Sequence, residues 1–212
     1  MTCFQLIFSP TGGTERVAKA LTETWPKVQT IDLSAQNFTA PAIPFSADDL
    51  VLIAMPAFEA MAPQPALDRL ALLQGNGARC ALAAVYGNRA VDNTLAQMED
   101  YARNAGFQPI ATVSAIAAHS LLPEFAVGRP DDADCQQLAV FGKQILEKFT
   151  SGSDTCPPIP GEHHCKEKRA GLIPTVNANC TSCGLCAREC PVGAISYCLL
   201  YTSPSPRDKR QS

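Results

Sequence analysis

Four closely spaced cysteines, Cys180-x2-Cys183-x2-Cys186-x3-Cys190 followed by Pro191, set the sharpest chemical constraint in the chain. Gaps of two residues let three thiolates wrap one face of an iron–sulfur cubane while backbone N–H groups point at its sulfurs. A zinc site more often uses two C-x2-C pairs with a longer loop between them. Iron–sulfur ligation is the leading reading, with zinc or purely structural cysteines as the alternatives. The chain holds ten cysteines, and Cys156, Cys165 and Cys198 also fall among its last 60 residues. A disulfide scaffold would instead spread its cysteines through a short secreted chain. Cys156 and Cys165, with His163 and His164, could form a second site but read more simply as linker residues. Cys3, Cys80 and Cys135 read as buried small hydrophobes.

A second constellation is Ser9-Pro10-Thr11-Gly12-Gly13-Thr14, set between an apolar run and a helical pattern. A helix that follows a strand presents free N–H groups and a positive dipole end. Gly12 and Gly13 let the backbone close around an anion, and the Ser9, Thr11 and Thr14 hydroxyls add donors. The loop lacks the Gly-Lys-Ser/Thr ending that serves a triphosphate, and it lacks GxGxxG. A single phosphate on a hydroxyl-rich loop suits a mononucleotide such as FMN. An empty helix start with turn glycines is the plainer alternative.

The elements that must position these residues are legible as alternating patterns. Apolar runs predict strands at Thr2–Phe8, Val28–Leu33, Leu50–Met55, Cys80–Val85 and Ile110–Ala118. Helical spacing is seen after the glycine loop (Val17, Ala20, Leu21) and near Pro65–Leu73. It recurs over Val91–Asn104 (Leu95, Met98, Tyr101, Ala102) and over Asp134–Phe149, with Leu138, Phe141, Ile145 and Phe149 inward. Five strands alternating with helical patterns demand a parallel sheet covered on both faces. Right-handed crossovers reduce this to an α/β doubly wound fold with strand order 2-1-3-4-5. Residues 151–175 have no periodicity and read as a linker.

Composition excludes several classes. With 46% hydrophobic and 17% charged residues, the 212-residue chain can bury a core and is neither disordered nor a coiled coil. Its net charge of −3 argues against a nucleic-acid partner. No run of eighteen apolar residues predicts a membrane span. The start, MTCFQLIFSP, lacks a basic segment and a cleavage site, which leads us to expect a cytoplasmic protein.

The segment FSPTGGTERVAKAL resembles the phosphate loop of the flavodoxin family. VYGNRAVDNTL and AAHSLLPEFAVGRPDD resemble the variant in bacterial flavodoxin–ferredoxin fusion proteins. This resemblance, over about residues 1–150, implies a flavodoxin-like domain in which Ser9, Thr11, Gly12, Gly13 and Thr14 hold the FMN phosphate. It also implies that Pro56, Ala57 and Phe58, within the loop reaching Met61, and Tyr86, Gly87, Asn88 and Arg89 flank the isoalloxazine ring. Phe58-Glu59-Ala60-Met61 stands where the family has an aromatic followed by glycines and an arginine. From the residues alone, Phe58 and Tyr86 offer stacking faces or ordinary packing. Arg89 is a counter-charge for reduced flavin or a surface charge, and His119 and Ser120 line the crevice or serve the loop.

The cysteine run resembles a bacterial ferredoxin, which implies a partial 4Fe-4S domain over 176–197. In two-cluster ferredoxins the fourth cysteine serves the other cluster, so Cys180, Cys183 and Cys186 would share one cluster and Cys190 a second. Residues 198–208, CLLYTSPSPRD, resemble one reading frame of a translated sequencing adapter. That resemblance makes 198–212 a non-native tail and implies a ferredoxin domain cut short, with two clusters in the intact parent.

The expected function is electron transfer coupling FMN to low-potential 4Fe-4S clusters, with ferredoxin-type proteins as donors or acceptors. Two alternatives stand: an FMN-dependent NAD(P)H or quinone oxidoreductase, and a non-catalytic zinc-stabilised binding module. No acid, base or nucleophile constellation is evident, which suits a carrier better than a hydrolase.

Overall fold

The computed structural model describes residues 1–156, 158–159, 161–163 and 175–195. The chain divides into two units, Met1–Cys165 and Lys166–Ser212, each treated by itself. His164, Cys165, Cys198 and the adapter-like tail lie outside the described residues.

The first unit is one five-stranded sheet, all pairings parallel, in the order β2-β1-β3-β4-β5. Its elements run β1 (Cys3–Ile7), α1 (Gly13–Thr22), β2 (Val28–Asp32), β3 (Leu50–Pro56), α2 (Gln64–Ala71), β4 (Arg79–Tyr86), α3 (Thr94–Asn104), β5 (Gln108–Ile116) and α4 (Asp132–Thr150). β1 and β3 are buried at every position, the run of apolar residues expected of strands covered on both faces.

Two cores result. On one face Leu6, Ile53 and Leu82 pack under Leu67 and Leu70 of α2 and Leu95 and Met98 of α3. On the other, Ile7, Leu52 and Ala83 pack under Val17 and Leu21 of α1 and Leu138, Ile145 and Phe149 of α4. Asp131 caps α4 by accepting from Asp134 N–H, while the Asp134 side chain accepts from Asp131 N–H.

The expected alternation fails at one place. No helix joins β2 to β3; Leu33–Asp49 crosses as turns and irregular chain. Pro41 and Pro44 lie in this stretch and disfavour a helix. Phe45 fills the first core in its stead, edge-on to Phe4 at 4.9 Å and to Phe107 at 5.3 Å. Phe141 is a further correction: expected inward, it is 36% exposed, because it lies on the flank of α4 that lines the open cleft beside the edge strand β5. Within the expected linker, the described residues Asp154, Ile159, Glu162 and His163 contact the first unit at Arg79, the first core, Asn93 and Asp100. Among the described residues no helix is long and apolar enough to cross a membrane.

In the second unit the described residues hold one short helix, α5 (Leu185–Arg188), inside the cysteine run.

Candidate flavin crevice and iron–sulfur segment

The order 2-1-3-4-5 reverses direction between β1 and β3, and ligands of such sheets bind outside the carboxyl ends of the strands there. The glycine loop leaves β1 at that point. Gly12 takes φ 83° as the residue before α1, a left-handed position that a side chain would strain. A Cβ on Gly13 would sit 3.2 Å from Ala117 Cβ, so this residue lets the loop close against the end of β5. The Ser9 hydroxyl accepts from Glu15 N–H at 2.9 Å and still has its own proton to donate. Gly13 and Thr14 carry the first N–H groups of the helix, which have no intrahelical partner. Thr11 is exposed, whereas Thr14 is buried at the sheet end.

Two supports of this loop escaped sequence reasoning. Ser9 N–H donates to Ser34 Oγ at 2.5 Å, and Ser34 N–H donates to Asp32 Oδ1 at 2.6 Å. Polar residues just past the end of β2, the neighbour of β1, were the available signal.

Beyond Pro56, Ala57 N–H donates to Val85 O, and Phe58 and Met61 exchange backbone hydrogen bonds of 2.8 and 3.0 Å. The tight turn between them puts Glu59 at φ 50° and Ala60 at φ 73°. Phe58 projects from this turn and is 39% exposed. At the end of β4, Tyr86 is half-buried, Asn88 takes φ 66°, and Arg89 is ion-paired with Asp92 within its own loop. Gly87 lies against His119, whose ring would be 2.7 Å from a Cβ there. His119 Nδ1 accepts N–H bonds from Leu121 and Leu122 at 3.1 and 3.2 Å, so its proton sits on Nε2 and the ring holds the loop after β5. Ser120 is exposed on the same loop. The loop's far end is pinned by the paired contact of Arg129 with Asp134, which holds the Asp134 carboxyl below the usual carboxylate range.

The glycine loop, Pro56–Met61 and Tyr86–Arg89 therefore all leave the carboxyl ends of β1, β3 and β4. A cleft of about 420 Å³ lies elsewhere, lined by Thr112 and Ser114 of β5 and by Phe141 and Lys148 of α4.

In the second unit Cys180, Cys183 and Cys186 are exposed and Cys190 is half-buried. Among the described residues no three His, Cys, Asp or Glu side chains converge closely enough to hold a metal. The sulfurs nevertheless have the surroundings a thiolate ligand needs. Leu185 N–H and the Thr181 hydroxyl draw the Cys183 thiol below its ordinary range. Burial pushes the Cys190 thiol up, but backbone N–H groups of Val192, Ala194, Ile195 and Gly193 outweigh it and the net shift is downward. Ser182 N–H donates to Cys180 Sγ at 3.4 Å, and Ala194 N–H to Cys190 Sγ at 3.3 Å. The donor set fits an iron–sulfur centre.

No curated protein matches the chain. The family described as a 4Fe-4S binding domain matches residues 174–196. Among solved structures the chain is similar to a flavone reductase, at 16% identity over 74% of this chain and 66% of that one, with a TM-score of 0.50. It is also similar to a flavodiiron core from Synechocystis, at 19% identity over 72% of this chain and 37% of that one, TM-score 0.49. A flavodoxin from the domain Archaea shares 17% identity over 71% of this chain and 99% of its own, TM-score 0.48. With its five parallel strands in the order 2-1-3-4-5, the chain joins a domain of flavodoxin-like fold to a segment that matches the 4Fe-4S binding domain family.

Proposed function

We propose that this protein transfers electrons, with FMN in the crevice above β1, β3 and β4, an iron–sulfur centre on Cys180, Cys183 and Cys186, and Cys190 serving a second such centre. The observation that carries this reading is the departure of three loops with complementary chemistry from one end of one sheet, on a chain that also carries the cysteine run. The bound flavin supplies one- or two-electron exchange and the iron–sulfur centre one-electron exchange. Gly13 and Thr14 N–H groups, with the Ser9 and Thr11 hydroxyls, hold the phosphate. Phe58 and Tyr86 bracket the ring, and backbone N–H groups at Gly87 and Asn88 face its polar edge. Among the described residues Glu59 has no paired cation in the ring turn, while Arg89 is matched by Asp92, so the rim opposes added negative charge. That environment favours a low reduction potential. Donors and acceptors are redox proteins, and the eight described cysteines, none in a disulfide, suit a reducing cytoplasm.

The test is an anaerobic visible spectrum of the whole chain after supply of FMN, iron and sulfide, with iron, sulfide, zinc and flavin content measured. Flavin bands abolished by Gly13→Val and iron lost in Cys183→Ser are the expected result. Zinc without acid-labile sulfide, or no retained flavin, would refute it.

A further inference from the structure

The chain after α4 forms a strap along the first unit. Asp154 pairs with Arg79, the first residue of β4, at 3.6 Å, so the strap begins at the amino end of the sheet. Ile159 packs on the first core, and Glu162 N–H reaches Asn93 Oδ1 at 3.0 Å, at the start of α3 and the carboxyl end of the sheet. The eight steps from 154 to 162 span at most about 26–29 Å. β4 alone is about 23 Å long. The described residues Asp154, Ile159 and Glu162 therefore mark a path along the length of β4. Gly161, at φ 120°, makes its closest approach here: a Cβ would lie 3.1 Å from both Asn93 Cα and Asp92 O.

Asn93 bonds in three directions. Its N–H donates to Ala60 O at 3.1 Å, its carbonyl accepts Gln97 N–H at 3.0 Å, and its side chain accepts the strap. Gln97 Oε1 in turn accepts Ala62 N–H at 3.0 Å. One residue thus ties the strap to Ala60 within the turn and, through Gln97, to Ala62 just after it. That turn is held in left-handed conformations by non-glycine residues, so it depends on such bonds to keep its shape. We infer that Asn93 is a positioning residue that couples seating of the 154–163 strap to the shape of the 58–61 turn. Resting on the flavin reading above, this makes the strap a control on how tightly the ring is held.

Amide exchange at Met61, Ala62 and Glu162, and FMN affinity, are to be measured on the full chain for Asn93→Ala, Asn93→Asp and Gly161→Val. Gly161→Val lifts the strap from its own side and leaves Asn93 intact, so the test does not depend on Asn93→Ala folding well. Both disruptive variants are expected to speed exchange at all three amides about three- to tenfold, the worth of one hydrogen bond, and to weaken FMN binding by a similar factor. Asn93→Asp keeps an acceptor for Glu162 N–H and restores slow exchange. Faster exchange at Glu162 with Met61 and Ala62 unchanged overturns the coupling, as does no change at Glu162 in either variant. If the wild-type chain takes up no FMN the flavin reading falls, while the exchange data still decide the coupling.

Discussion

Glu59 and Ala60 occupy consecutive left-handed positions between Phe58 and Met61, a turn that favours Asn-Gly and costs other residues about 1–2 kcal/mol each. Replacing the pair, Glu59→Asn with Ala60→Gly, keeps both Phe58–Met61 hydrogen bonds. It is expected to raise the thermal midpoint of the intact chain by about 2–4 °C per kcal/mol recovered. An unchanged or lower midpoint in a melting experiment would show that the turn is not strained. The buried thiols give a second residue-level expectation. Burial, helped by Asp49, pushes Cys3 from its ordinary 9.0 up to about 11, and burial pushes Cys80 further in the same direction. The unfolded chain releases these protons near pH 9 while the native state keeps them. Stability is therefore intact below 9 and falls as pH rises from about 9 to 11. Denaturant midpoints at pH 8 and 10.5 should diverge less in a Cys3→Ala, Cys80→Ala variant than in wild type; equal divergence refutes the link. The glycine loop and the cysteine run were legible in the sequence because tight spacing leaves few chemistries open. Ser34, Asn93 and Gln97 were not, because each works through a bond between segments distant along the chain.

At the scale of elements, α1 and α4 cross so closely that a Cβ on Gly142 would lie 1.8 Å from Leu21 O. Trp25 Nε1–H seals the same crossing by donating to Gly142 O at 2.9 Å. Gly142→Ala gains about 1 kcal/mol of helix propensity but forces two backbones apart, and overpacking of this kind costs about 1–3 kcal/mol or more. Net destabilisation is expected, with a red-shift in the emission of Trp25, the sole tryptophan. A variant as stable as wild type with unchanged emission would contradict the packing. The free edge of β5 is guarded similarly: Lys148 Nζ donates to Ile110 O at 2.8 Å and also reaches Thr155 O. Such capping blunts a strand edge against pairing with other chains. Lys148→Met should therefore increase light scattering of concentrated protein, and an unchanged scattering curve would count against the role. β1, β3 and β4 were readable because buried parallel strands are continuous apolar runs, whereas the mostly exposed edge strand β2 offered only Val28 and Ile31 as a weaker signal. The β2–β3 crossover was not readable, since Phe38, Ile43 and Phe45 do a helix's packing without a helix's period. Phe141 misled for the converse reason: its period is right, but it lines the open cleft beside the edge strand β5.

For the molecule as a whole, composition placed the end of the first domain at 150, where α4 ends and periodicity stops. Contacts beyond that point argue for a later boundary. Arg79 lies 4.0 Å above the Phe149 ring and donates to Phe149 O at 3.0 Å, and Asp154 completes the cluster. Ile159 adds apolar burial, Glu162 bonds Asn93, and His163 Nδ1 meets Asp100 at 2.8 Å. The exposed ion pairs among these are worth little individually. The backbone hydrogen bond and the burial of Ile159 are each worth about 1 kcal/mol. A chain ending at His163 is therefore expected to melt about 4–8 °C above one ending at Thr150, at about 2–4 °C per kcal/mol for a domain of this size. The longer chain should also bind FMN more tightly if the strap shapes the ring turn. Equal midpoints with equal flavin affinity would return residues 151–163 to the status of an open linker. A large gap in midpoint with equal affinity would leave the strap a stabiliser of the sheet alone and detach it from the flavin crevice.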